Sequence, residues 1–435
     1  MGFLGPPYEN FIAGRVGNLF HPINVLEKHK VTREAVMAGN GLSERLQFPI
    51  STAELQRRWA AVRAAMKREG VDVLLMQNNN DHMGGYVKYF TDMPATNGYP
   101  NTVVFPADDE MTVVCQGPFK GDGRPPSDMW RGVKRLLTTP SYESAHFTQY
   151  YDPELAAKAL APFAKATIGF VGIYQMSFAM GDFIMKKFPN AKYVDASELV
   201  DRIKVIKSPE EQEMVKRAAI MQDGAMHAAF AAIKPGMRDT EVAAVAVHYS
   251  QVQGCENGIY LCASAPPGTA AKFGQRHVQN RTIQKGDAFA LLVEDSGPGG
   301  MYTELGRSCV LGKVPAQMKE ELEMVKESRK LTLDMLKPGT PCKDIWETFN
   351  GFMRKHGRPE EARLYCHGQG YDLVERPLIR SDEPWVIQKD MNIVVHPTYA
   401  HGGYLNWLCD NYLIGGNGPG DRLHQFPEEI VEIDV

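Results

Sequence analysis

The feature that most restricts this chain is a repeated piece of helix grammar. KPGMRDTEVAAVAVHYSQVQG, from Lys234, and KPGTPCKDIWETFNGFMRKHG, from Lys337, lie about a hundred residues apart. Each has a Pro-Gly turn, a polar stretch fit to cap a helix, then apolar residues at helical spacing and a closing Gly. The repeat implies two related halves. Around and after these stretches, AFALLVE, SCVLG, NIVVHP and NYLIGG read as strands bounded by turn residues. This part of the chain is therefore expected to be α+β, with mostly hairpin-connected strands.

A different organisation precedes it. TAELQRRWAAVRAAMKREG, from Thr52, reads as a helix stopped by Gly, and VDVLLMQ as a buried strand. VKYFTD, NTVVFP, MTVVCQG and ATIGFVG are expected to be further strands and YDPELAAKALAPF a helix, which together make an α/β domain. In VIKSPEEQE, Ser208 can cap a helix, Pro209 suits its first turn and the glutamates suit its positive end, so a long helix is expected to about Ile233. The boundaries expected are an irregular arm over 1–50, an amino-terminal domain over 51–200 and a carboxyl-terminal domain over 201–435.

Length and composition exclude several classes. A chain of 435 residues has room for two or three domains with real cores. With 48 basic against 52 acidic residues the net charge is −4, which offers no field for nucleic acid or an anionic membrane. Neither is expected as a partner. The amino terminus lacks a basic start and an unbroken apolar run, and the seven cysteines form no CxxC pair, so a reduced, cytoplasmic setting is expected.

Four segments of the carboxyl-terminal half combine polar residues with strand or turn context. They are FGQRHVQNRTIQKGD, VEDSGPGGMYTELGRS, CHGQGYDLVERP, and the pair IVVHPTYA and WLCDNYLI. Each alone is weak, because a lone strand histidine or glutamate is more often a hydrogen-bonded structural residue. Separated by strands, together they suggest one site built on several strands.

The order IKSPEE, a KGD turn, GGMYTELGRS, HGQGYDLVERP and paired carboxyl-terminal strands resembles the pita-bread family of Xaa-Pro aminopeptidases, prolidases, methionine aminopeptidases and creatinase. The resemblance covers nearly the whole chain. It implies an α+β fold: a creatinase/prolidase-like α/β amino-terminal domain followed by a pita-bread catalytic domain. The family's metallopeptidases hold two metals with two aspartates, a histidine and two glutamates. Carried over by position, the first aspartate falls on Leu292, which cannot ligate, and the second on Glu304. The histidine matches His367, and the glutamates fall on His396 and Cys409.

Glu304, His367, His396 and Cys409 would form a credible set for one divalent metal ion, with zinc suited to its softer donors. The alternative is a metal-free, creatinase-like pocket. Glu375 matches the family's His-Glu-x-Pro segment, but Val374 stands where the histidine belongs, which counts against peptide hydrolysis. His277 lies where the family places a catalytic histidine, and Glu294 could act as a base or hold a cation. Arg307 would brace carboxylates or bind substrate; Tyr371, Asp372 and Arg376 could recognise a small polar substrate. Asn97 and Tyr99 are weaker candidates in a region that reaches the partner's pocket in creatinase-like dimers. The resemblance implies a homodimeric hydrolase acting on a C–N bond of a small, non-peptide molecule. A lyase resembling dimethylsulfoniopropionate lyase, or an inactive binding protein, stays open.

Overall fold

The computed structural model describes residues 48–435 apart from 79–84, 95, 97, 126–128 and 274–279. The expected arm therefore lies outside the described residues except at its end, as do His277 and Asn97.

Helix α1 (Thr52–Glu69) opens the first domain, with Ser51 accepting from the Glu54 amide and Gly70 closing it at φ 67°. The left-handed conformation at that closing position is one that glycine takes without a Cβ penalty. The central sheet contains β1 (Val73–Asn78), β2 (Asn101–Pro106), β3 (Met111–Gln116), β4 (Gly121–Gly123), β5 (Val133–Thr139), β6 (Thr167–Val171) and β7 (Lys192–Asp195), in the order β4-β5-β3-β2-β1-β6-β7. Strands β1 and β6 run parallel, β1 and β2 antiparallel. Helices α3 (Tyr151–Leu160), α4 (Phe178–Lys187) and α5 (Ser197–Lys204) complete this domain.

One expected strand is a helix. All of VKYFTD but its last residue, Asp92, lies in α2 (Gly85–Thr91), whose seven residues are all buried. With both faces covered, alternation carries no signal, and β-branched and aromatic residues overstate strand character. Thr91 Oγ1 donates to the Val87 carbonyl at 2.7 Å, which helps to close the turn.

The repeated grammar becomes two helix pairs, each on its own sheet. Helices α6 (Pro209–Ala232) and α7 (Asp239–Val252) cover β8 (Asn257–Ala265), β9 (Ala288–Ser296) and β10 (Tyr302–Val310). Helices α8 (Ala316–Met335) and α9 (Cys342–Lys355) cover the sheet formed by β11 (Cys366–Gly368), β12 (Glu375–Leu378), β13 (Asn392–Val395) and β16 (Asp410–Leu413). Strands β14 (Thr398–His401) and β15 (Tyr404–Trp407) form a hairpin, and β17 (Val431–Glu432) edges β10. Helix α6 starts with the expected Ser208 cap, as a full capping box with Glu211. Among the described residues no helix is long and apolar enough to cross a membrane.

The two sheets meet along β10 and β16. Gly306 and Cys409 exchange backbone hydrogen bonds at 3.2 and 3.3 Å, and the Asn411 side chain accepts from the Glu304 amide at 2.8 Å. This seam brings polar residues from both halves into one buried cluster.

Candidate active site

Alternation along a strand puts every second residue on one face. On β9 and β10 the register pairs Glu294 with Glu304 and Leu292 with Gly306. From the second sheet, His367 on β11 and His396 just past β13 come to the same place. One ligating atom each of Glu304, His367 and His396 lies within 4.8 Å of the others, and all three residues are buried.

The imidazoles are prepared as lone-pair donors. His367 Nδ1 lies 2.9 Å from the Gly368 carbonyl, a contact that requires a proton on Nδ1 and leaves Nε2 bare, 3.8 Å from Glu304 Oε2. His396 Nε2 is buried without a hydrogen-bond partner among the described residues, at the cost usual for an orphaned polar atom. Burial lowers the His367 pKa to about 4 and the His396 pKa well below its ordinary value, so both rings are neutral near pH 7.

Among the described residues neither carboxylate forms a salt bridge with a lysine or arginine, and Arg363 acts on them only through its charge. Burial raises Glu304 to about 7, against hydrogen bonds from Cys409 and Glu294 that lower it. Burial, then the neighbouring charge of Glu304, raises Glu294 well above the usual range. The two side chains are hydrogen-bonded to each other, so the pair shares a proton in place of holding two charges. Gln369 donates to Glu294 Oε1 at 2.9 Å and accepts from Asn411 at 2.8 Å, which ties both sheets to the pair.

Such a donor set suits one divalent ion: a carboxylate and two neutral imidazoles, one with an orphaned ring nitrogen. At the position next to it, Leu292 offers no donor atom. Leu292 packs with Ala290, Val394, Trp407 and Cys409 in an apolar cluster, and Phe273 stacks edge-on to Trp407 at 5.0 Å. A Cβ on Gly306 would collide with the Trp407 ring, which explains the glycine there.

Cys409 is the fourth residue of the expected set. It lies beside the other three but outside their 4.8 Å neighbourhood. Its Sγ lies 3.3 Å from the Glu304 backbone carbonyl, and burial, followed by the negative charges of Glu304 and Asp410, raises its pKa well above the ordinary thiol value.

The residues expected to bind substrate are occupied elsewhere. Tyr371 is buried and its hydroxyl meets Arg58 at 2.9 Å, where Arg58 also meets Glu211 at 2.9 Å. Lys204 Nζ lies 2.6 Å from both Asp372 and Glu375, and Lys207 lies 2.8 Å from Glu375. Asp372 also accepts from the Gly85 amide at 2.7 Å. These contacts fasten the two domains together, so Glu375 has no free oxygen for proton transfer and Asp372 none for substrate. Although burial pushes Glu375 upward, the two lysines hold it at about 2. Gly370 allows the packing, since a Cβ there would run into the Glu375 carboxylate.

Arg376 pairs with Glu383 at 2.5 Å and lies over the Trp385 ring, 4.0 Å from its centroid. Arg307 is fully buried, bound to Asp410 at 2.7 Å and to four backbone carbonyls; it braces the seam and cannot reach a substrate. Tyr99 is half-exposed on the first domain, edge-on to Tyr142 at 6.5 Å. Sequence reading missed Gln369, Asn411, Lys204 and Lys207. Gln369 lay inside the HGQG run, and Lys207 directly precedes the Ser208 cap.

Comparison with known proteins accords with this geometry. Residues 213–422 match the model of metallopeptidase family M24. The Xaa-Pro dipeptidase of Pyrococcus furiosus is 25% identical over 275 residues, covering 61% of this chain and 75% of the relative. The creatinase of a Bacillus species is 23% identical over 432 residues, 93% of this chain and 97% of the relative. An X-Pro aminopeptidase structure from Thermotoga maritima superposes with TM-score 0.70 at 17% identity, over 86% of this chain and 99% of that one, a likeness of fold.

Proposed function

Because the chain belongs to the pita-bread metallopeptidase family M24, a family of hydrolases, we propose that it hydrolyses a C–N bond of a small, non-peptide substrate at a site for one divalent metal ion, preferably zinc. The observation that carries this reading is the convergence of Glu304, His367 and His396 within 4.8 Å beside an apolar Leu292. A bound divalent ion supplies Lewis acidity and makes water a better nucleophile at neutral pH.

The remaining work falls to this chain's own groups. The Gly368 carbonyl holds the His367 tautomer, and Gln369 with Asn411 orients the Glu294–Glu304 pair. Glu294 holds the proton at its carboxyl and is the group placed to pass it to the leaving nitrogen. Overall one water is consumed: its oxygen bonds to carbon, the C–N bond breaks, and nitrogen leaves with a proton.

Support for a non-peptide substrate is the loss of two features of the peptidase pattern, at Leu292 and at Val374. The Xaa-Pro dipeptidase names among the relatives favour the competing peptide reading. Metal analysis of protein purified without chelator, joined to a turnover panel of guanidines, N-acyl amines and Gly-Pro, separates them. The reading expects about one equivalent of metal and poor Gly-Pro cleavage. Gly-Pro turnover of about 10 s⁻¹ or more overturns the substrate class. Fully active protein with under about a tenth of an equivalent overturns the metal, because a site of this kind binds zinc tightly.

A homodimer belongs to the same reading. Sedimentation showing only a 48.5 kDa species counts against it.

A further inference from the structure

The amino-terminal domain contains a cavity of about 300 Å³ that borders none of the hydrolase residues. It opens outside the carboxyl end of β1, at Gln77, between the first turns of α3 and α4. Open α/β sheets characteristically take small ligands at such strand ends.

Its lining has an unusual charge balance. Asp152 is 4% exposed, and its Oδ1 has no hydrogen-bond partner among the described residues. Glu143 is a second carboxylate in the same wall, while no lysine or arginine lines the cavity among the described residues. The Gln77 side chain is held by its neighbours, its amide nitrogen donating to Thr102 at 3.1 Å and its oxygen accepting from the Ser177 amide at 3.1 Å, and the Asp152 carboxyl is hydrogen-bonded by Ser141, which leaves Oδ1 unmatched. At the rim stand Tyr150 and Phe178, 46% and 85% exposed.

A buried acceptor without a donor costs free energy that a ligand's N–H groups recover. Two carboxylates repel anions, and aromatic faces attract an organic cation while covering its alkyl part. A hard metal ion would ask for six or more oxygen ligands, and only Asp152 presents a buried carboxylate. We propose that this cavity is a second ligand site, separate from the hydrolase centre, that binds a small primary amine through Asp152. Its ammonium group donates to the Asp152 carboxylate, and its chain runs outward past Tyr150 and Phe178.

Ligand-observed NMR titration of the full-length protein tests this with n-butylamine, 1-butanol, butyrate and calcium chloride as probes. Saturable butylamine binding at one equivalent is expected, in about the millimolar range that so small a ligand allows. It should persist in His367→Ala, weaken at least tenfold in Asp152→Asn, and be absent with butanol and butyrate. The inference is overturned if butanol binds as well as butylamine, if calcium binds at this cavity in place of the amine, or if binding disappears with His367→Ala. Should Asp152→Asn not fold, Glu143→Gln takes its place; it should weaken butylamine binding severalfold, and unchanged affinity there overturns the proposal.

Discussion

Two buried carboxylate pairs lie on the same domain and meet opposite fates. Asp372 and Glu375 face Lys204 and Lys207 at 2.6 to 2.8 Å, so two negative charges meet two positive ones within the protein. Glu294 and Glu304 form no salt bridge with a lysine or arginine among the described residues; burial raises both, and they share a proton next to two neutral imidazoles. The first pair is complete and therefore structural. The second is incomplete and draws its missing charge from outside, as a proton or a metal ion. Acidic residues in a pocket become informative only once their cations are counted.

The largest break in this comparison is expected at the incomplete pair. His367→Ala should lower activity by about 10³-fold or more and release bound metal, since Lewis acidity is worth several kcal/mol. Its urea midpoint in metal-free protein should move little. Turnover together with metal content checks this; retained metal with full activity would remove His367 from the site.

At the complete pair the effect is expected in stability. Lys204→Met leaves Asp372 and Glu375 with one lysine between them in a buried seam, a loss of about 3–5 kcal/mol. Urea unfolding measures it, and a change under 1 kcal/mol would show that the seam is not held by this charge.

Acid sharpens the contrast. Glu375 titrates at about 2 in the folded chain, below its ordinary value of 4.5. Between those values the unfolded chain takes up the proton more readily, so the stabilisation is complete above pH 4.5 and is lost as pH falls toward 2. The integrated effect is about 3 kcal/mol. Unfolding midpoints of wild type and Glu375→Gln should therefore converge at low pH, and parallel curves would contradict the assignment.

The smallest effect is expected at Arg376, a quarter exposed and paired with Glu383. Arg376→Ala should change stability by under about 1 kcal/mol, with KM for any substrate unchanged within about twofold. A tenfold rise in KM would return Arg376 to the substrate pocket.

Interactions closed within a few residues were legible in the sequence. The Ser208 cap and its Glu211 partner lie three positions apart, and Gly70 ends α1 by its own backbone freedom. The repeated Pro-Gly grammar likewise announced two helix pairs, and the order of motifs led to Glu304, His367 and His396. What tertiary structure alone decided was which polar side chains were left unengaged. Arg58 reaches Tyr371 across 313 positions and Lys204 reaches Glu375 across 171, and both contacts turn expected substrate groups into parts of a domain seam. Cys409 is engaged by Glu304, whose backbone carbonyl and carboxylate both meet its thiol. VKYFTD became helical because burial on every side erased the pattern that separates strand from helix. Caps and turns depend on backbone geometry that a few adjacent residues carry with them. The partner of a buried charge is set by whichever opposite charge the fold brings within hydrogen-bonding distance, and sequence separation does not encode that distance.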